Sequence, residues 1–277
     1  MIKRRIGYSV GWGAEKTGDR PAATRRSFRP WFFLCVLSTV AALSARPACA
    51  LVGATEDDRS FASHLVMVVS RGFDQTGFCT GVVIGPRAIL TAAHCLKSID
   101  NMRIGYRAES GDPVFVEIAK AEAHPLYRAA SIAKRVVSID MALIETRPPL
   151  GNRFSPAALD NDAAPAIGQP LKIFGYGVAR EGDDKTAGAL RAARLAVRGP
   201  RSPITLWAED PNHAGTGACT GDSGGPIVSA ESGKVVAITA WSAGDGHGRR
   251  CGALTQGPLV APQSGWIVDV LKRWGER

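Results

Sequence analysis

Thr220-Gly221-Asp222-Ser223-Gly224-Gly225-Pro226 places a serine between glycines and directly after an aspartate. A serine hydroxyl is a weak nucleophile at neutral pH and needs a base to take its proton. It also needs hydrogen-bond donors aimed at the oxyanion that forms on attack. Gly221 lets the backbone turn so that its N–H can face that oxygen beside the N–H of Ser223. Two segments upstream supply the missing groups: Thr91-Ala92-Ala93-His94-Cys95 and Ser138-Ile139-Asp140-Met141-Ala142-Leu143-Ile144. Histidine suits the base because its pKa lies near neutrality. A carboxylate suits the group that orients it. Taken singly, each has an ordinary structural reading: a packed histidine, a turn aspartate, a tight glycine turn. Together, in the order His94, Asp140, Ser223, they form a nucleophile–base–carboxylate set.

Around these segments the chain is an ordinary globular sequence. It has 277 residues, 45% hydrophobic and 21% charged, which excludes a disordered or collagen-like chain. Short apolar runs broken by Gly, Pro, Asp and Asn predict strands at 65–69, 81–84, 88–90, 114–118, 141–144, 171–174, 227–228 and 235–240. Many short strands at this spacing indicate an all-β barrel or sandwich. Ile267, Val268, Val270, Leu271 and Trp274 recur at helical spacing after Ser264-Gly265 and predict a short closing helix. The stretch 160–170, rich in Ala, Asp and Pro, reads as a linker between two halves. No metal, nucleotide or flavin motif is present.

The first fifty residues read as an address. A basic region precedes the apolar run 31–43, and Ala48-Cys49-Ala50 follows as a small-x-small cleavage signal. Cleavage after Ala50 would give a secreted or periplasmic chain beginning at Leu51. Arg25-Arg26 with Phe28 loosely resembles a twin-arginine signal, against ordinary secretion as the simpler reading. Nine of the 34 basic and two of the 25 acidic residues lie in 1–50, so that segment carries +7 of the net +9. The remainder is nearly neutral, and its charge gives no reason to expect nucleic acid. Of six cysteines, Cys35 and Cys49 belong to the leader. Cys79, Cys95, Cys219 and Cys251 imply two bridges in an oxidising compartment, with three connectivities open.

From Leu51 onward the chain resembles the chymotrypsin-like (trypsin-like) serine proteases. Leu51-Val52-Gly53-Ala54 resembles the mature N-terminus of that family. The segments at 91–95, 140–143 and 221–226 match its histidine, aspartate and serine blocks. His124-Pro125-Leu126-Tyr127, Phe174-Gly175-Tyr176-Gly177 and Ala240-Trp241-Ser242 resemble further recurring stretches. The resemblance implies two six-stranded antiparallel β-barrels with a short C-terminal α-helix. Its bounds would be a first barrel over 51–160, a second over 161–263 and the helix over 264–277. It implies Ser223 as nucleophile, His94 as base and then acid, and Asp140 as orienting carboxylate. The N–H groups of Gly221 and Ser223 would form the oxyanion hole. It pairs Cys79 with Cys95 and Cys219 with Cys251, and the freed amine of Leu51 with Asp222.

Specificity follows from three positions in the same comparison. Gly217 stands at the base of the primary pocket, with Ser242 and Gly257 on its walls, so an uncharged pocket for small or medium apolar side chains is expected. Ala240 replaces the serine usual before the tryptophan. The stretch 241–251 is longer than usual and holds Gly246-His247-Gly248-Arg249-Arg250; it reads first as a mobile basic loop, otherwise as a cover for the pocket mouth or an acid-binding element. His64, His213 and His247 read as surface or loop residues. The expected activity is a secreted serine endopeptidase acting on proteins or peptides. It would be monomeric, open to a protein inhibitor, and without cofactor, metal, nucleic acid or stable membrane insertion. The rivals are a catalytically silent binding protein on the same scaffold and a periplasmic quality-control protease; a chain stopping soon after the closing helix leaves no peptide-binding domain for the latter.

Overall fold

The computed structural model describes residues 51–52, 58–72, 76–129, 136–162, 164–200, 202–246 and 248–276. The expected leader 1–50, Gly53-Ala54 and His247 lie outside these residues. Six strands build a first, closed barrel: β1 (Leu65–Arg71), β2 (Thr76–Val83), β3 (Ala88–Thr91), β4 (Met102–Arg107), β5 (Pro113–Ala123) and β6 (Ala142–Thr146), in the order β1-β2-β3-β6-β5-β4. All pairs are antiparallel, with Leu65 opposite Val82 and Leu90 opposite Leu143. Val66, Val68, Ile89, Ile104 and Ile144 fill its interior. These are mostly β-branched side chains, which suit a pleated, buried surface.

The second sheet holds β7 (Pro170–Gly175), β8 (Arg191–Val197), β9 (Thr205–Glu209), β10 (Pro226–Ser229), β11 (Val235–Ile238), β12 (Trp241–Ala243) and β13 (Leu254–Pro258). Their order is β11-β10-β7-β8-β9-β13-β12. The two end strands are consecutive pieces of one line of chain. β12 pairs with β13, and Ala237 of β11 bridges Leu259 just beyond it. The Ala240 N–H donates to the Gln256 carbonyl at 2.9 Å. The ladder breaks at Thr239 because that residue turns its backbone elsewhere: its N–H donates to Gly225 (2.8 Å) and its carbonyl accepts from Gly224 (2.7 Å). The sixth line of the second barrel is therefore interrupted where it meets the serine segment.

Leu171, Ile173, Leu195, Leu206 and Ile227 fill the interior of this second sheet. A third cluster joins the two halves: Leu65, Leu90 and Met141 meet Phe174, Val228 and Val235, with Phe61 stacked on Phe174 at 5.1 Å. Helix α1 (Ser264–Trp274) adds Ile267 and Val270 to the same cluster. Gly275 ends the helix in the left-handed region (φ 74°), where its N–H reaches the last carbonyls. Glu276 beyond it accepts from Arg87 Nε at 2.7 Å, fastening the helix end to the first barrel. Just before the expected linker Leu159 bridges Val235 of the second sheet, and the Asp160 N–H at the start of the stretch donates to the Val235 carbonyl at 2.9 Å.

Candidate active site

His94 lies just beyond β3, in a single tight turn (Ala93–Cys95) that Ala92 enters in extended conformation. The Cys79–Cys95 disulfide fastens that turn to β2. Asp140 lies between buried Ile139 and Met141, just before β6. The two strands are neighbours, so the side chains converge. The His94 backbone N–H donates to Asp140 Oδ1 at 2.9 Å, and His94 Nδ1 lies 2.7 Å from Oδ2. A carboxylate only accepts, so Nδ1 carries the hydrogen, and in the neutral imidazole Nε2 then keeps its lone pair. The side chains are 36% and 22% exposed, leaving the imidazole open to a substrate.

Ser223 is half-buried on a turn closed by Asp222 N–H to the Cys219 carbonyl (3.1 Å) and Gly225 N–H to the Asp222 carbonyl (2.9 Å). Gly221 adopts φ 94°, and a Cβ there would meet the Phe78 ring at 2.3 Å, so only glycine fits. The N–H groups of Gly221 and Ser223 donate to no acceptor among the described residues, and no His94–Ser223 hydrogen bond forms among them.

Thr80, which the motifs do not flag, holds the parts together. Its N–H donates to the Ser223 carbonyl at 2.8 Å. Its hydroxyl donates to the Gly221 carbonyl (3.0 Å) and accepts from the Tyr176 N–H (3.1 Å). Its carbonyl accepts from the Thr91 hydroxyl at 2.8 Å. One buried threonine thus ties the histidine strand, the serine turn and the second sheet together.

Asp222 is 1% exposed. Burial pushes its carboxyl up from 3.8 to about 7, against N–H donors on Cys219 and Gly177 and the charge of Arg191, which pull it down. The donors lie at 2.9 and 2.8 Å. Gly175 and Gly177 form the socket: a Cβ on either would come within 2.1 and 2.4 Å of that side chain. Leu51 is fully buried in the second-sheet core, and Val52 accepts from the Gly217 N–H at 3.2 Å. In the intact chain the Leu51 nitrogen is a peptide amide.

Gly217, Ser242 and Gly257 lie on neighbouring strands and turns of the second sheet. A Cβ at Gly217 would stand 2.5 Å from the Gly252 carbonyl oxygen, and one at Gly257 only 1.8 Å from that of Ile238. The Ala218 N–H donates to Thr255 Oγ1 at 3.0 Å. Ser242 of β12 pairs with Thr255 of β13, and Cys219 is bonded to Cys251. None of the three positions expected to line a pocket carries charge. The arginines of the 241–251 stretch are anchored: Arg249 to Asp245 (2.7 Å), and Arg250 to Glu181 (2.7 Å). His64 Nδ1 lies 2.6 Å from the Ser155 carbonyl, and His213 is exposed in a turn. Cys79, His94 and Cys95 have ligand atoms within 4.8 Å, but both sulfurs are committed to the disulfide. No helix among the described residues is long and apolar enough to cross a membrane.

The Trypsin family model matches residues 52–262. Kallikrein-8 of Mus musculus is 31% identical over 176 residues, covering 59% of this chain and 66% of that protein, just under two thirds of its length. Serine protease 1 of Canis lupus familiaris is 27% identical over 255 residues, 88% of this chain and 98% of that one. Among solved structures, human heparin binding protein aligns with a TM-score of 0.65 at 21% identity, over 80% of this chain and 96% of that one. A scabies mite inactivated protease paralogue aligns with a TM-score of 0.64 at 22% identity, over 80% and 99%. These two likenesses concern the fold alone.

Proposed function

This chain belongs to the trypsin family, and from that premise we propose that it is a serine endopeptidase whose triad is His94, Asp140 and Ser223. The observation that carries the reading is the doubly bonded His94–Asp140 pair, set beside a serine turn whose two N–H groups meet no acceptor among the described residues. In this reading Ser223 Oγ attacks the peptide carbonyl carbon while His94 Nε2 takes its proton. Asp140 holds the Nδ1–H and stabilises the imidazolium. The oxyanion is met by the N–H groups of Gly221 and Ser223. His94 then passes its proton to the leaving amine, and water repeats the sequence on the acyl-enzyme.

Residues 1–50 are proposed as a signal peptide removed after Ala50, which would release a secreted or periplasmic peptidase domain over 51–277. The freed Leu51 amine would pair with Asp222, whose burial makes a cationic partner favourable. The uncharged Gly217, Ser242 and Gly257 support a preference for small or medium apolar side chains. A catalytically silent binding protein is the second reading, favoured by the absence of a His94–Ser223 hydrogen bond among the described residues.

The test is labelling of the secreted protein with a fluorophosphonate, parent against Ser223→Ala, with mass spectrometry of the N-terminus. Labelling that needs Ser223, on a chain beginning at Leu51, is expected. Folded parent protein with that N-terminus and no label would overturn the enzyme reading.

A further inference from the structure

A cavity of about 380 Å³ opens where β1, the end of β4 and the 187–190 segment meet. Met67, Tyr176 and Leu190, all half-buried, give it an apolar floor. Arg59, Arg107 and Arg153 line its rim, and no Asp or Glu lines it among the described residues. After residue 50 the chain holds 25 basic and 23 acidic residues, so a patch of one sign is a local concentration and not the reflection of a bulk charge.

Arg107 and Arg153 are held in position before any ligand arrives. The Arg153 guanidinium lies over the rings of Tyr106 (5.2 Å) and Phe154 (5.4 Å) and donates to the Arg107 carbonyl. Those rings meet edge-on at 5.0 Å. Arg107 Nη1 donates to the Gly111 carbonyl at 2.9 Å. These contacts use a fraction of the five donors on each guanidinium. A planar fork that is already oriented loses less freedom on meeting a carboxylate, and binds it through two parallel hydrogen bonds.

We propose that this cavity binds an acidic peptide segment of a partner protein, with a carboxylate on the Arg107–Arg153 rim and an apolar side chain over Met67 and Leu190. The site uses neither Ser223 nor His94, so it stands apart from the protease reading. A sulfated polysaccharide would satisfy the arginines but brings no apolar group for the floor, which is why a peptide fits better.

The experiment is fluorescence anisotropy of a labelled dodecapeptide of alternating Glu and Tyr, titrated with the full chain carrying Ser223→Ala so that nothing is cut. Binding at low salt is expected, weakened about tenfold by Arg107→Gln with Arg153→Gln and strongly reduced at high salt. Arg107→Gln alone, at an exposed side chain, is expected to weaken it about threefold and guards against misfolding of the double variant. Arg198→Gln, on the β8–β9 side, is expected to change nothing. Equal affinity in both cavity variants, or no binding by the starting chain, would overturn the proposal. So would tighter binding of a sulfated dodecasaccharide with the same arginine dependence, which reassigns the cavity to polysaccharide. Because the titrated chain lacks the serine hydroxyl, this result and the labelling result fail independently.

Discussion

The two sides of the candidate site are built on opposite principles. On the first-barrel side, His94 and Asp140 stand partly in solvent and are oriented by two hydrogen bonds to each other. Their strands belong to an unbroken closed barrel. On the second-barrel side the candidate chemistry is one half-buried serine, and the architecture lies beneath it. Asp222 is sealed in a socket that tolerates only glycine, and the nearby strand is interrupted so that Thr239 can hold Gly224 and Gly225. The first side can therefore lose its carboxylate without losing structure, whereas on the second a change to the buried frame beneath Ser223 would cost both.

The contrast breaks most openly with a pair of substitutions. Gly177→Ala would drive a Cβ to within 2.4 Å of the Asp222 carboxylate. Overpacking of a sealed polar site is expected to cost about 3 kcal/mol or more, seen as a large loss of urea resistance. Asp140→Asn is expected to leave urea resistance within about 1 kcal/mol of the parent, because its side chain is partly solvated. Its kcat/KM should nevertheless fall about 10⁴-fold, since the amide would hold the wrong histidine tautomer. A destabilised Asp140→Asn or an unaffected Gly177→Ala would erase the distinction.

The same division decides what could be read in the sequence. His94, Asp140 and Ser223 sit in compact local motifs, because nucleophile, base and carboxylate each need their own turn. Strands such as β1 and β6, rich in Val, Ile and Leu, were legible as apolar runs. β8 was not, because Arg191-Ala192-Ala193-Arg194 reads as polar and alanine-rich although Ala192 and Ala193 are buried. β13 carries Gly257 and Pro258, which ordinarily mark a turn. Thr80 gave no signal, because its hydroxyl acquires its role from Gly221, 141 residues away in sequence. The arginine-lined cavity was equally silent, since Arg107, Arg153 and Tyr176 come from separate parts of the chain.

A second prediction sharpens the comparison by titrating the buried side. In the intact chain the Asp222 carboxyl is raised by burial from 3.8 to about 7. Between those values the unfolded chain has given up a proton that the folded chain keeps, so stability falls as pH rises and levels off above about 7. The shift corresponds to a loss on the order of 4 kcal/mol. If the Leu51 amine is freed and pairs with Asp222, the carboxyl is lowered and this fall disappears. Urea unfolding of Ser223→Ala protein from pH 4 to 8, with and without the leader, measures it. The uncut chain should weaken across that window and the cut chain should not; an equal fall in both would sever Leu51 from Asp222.

The smallest expected effect tests the link between the two sides. Thr80→Val keeps the shape but removes the hydroxyl that serves the Gly221 carbonyl and the Tyr176 N–H. Leaving those buried groups unpaired is expected to cost about 2 kcal/mol of stability. A merely structural threonine would produce that loss alone. If its hydroxyl also sets the position of the serine turn, kcat should fall about tenfold with KM nearly unchanged, because the oxyanion contacts matter mainly in the transition state. Thr80→Ser restores the donor without the methyl group and should recover kcat before it recovers full stability. Recovery of stability without kcat would mean that the serine turn takes its geometry from the second barrel alone, through Thr239 and the Asp222 socket.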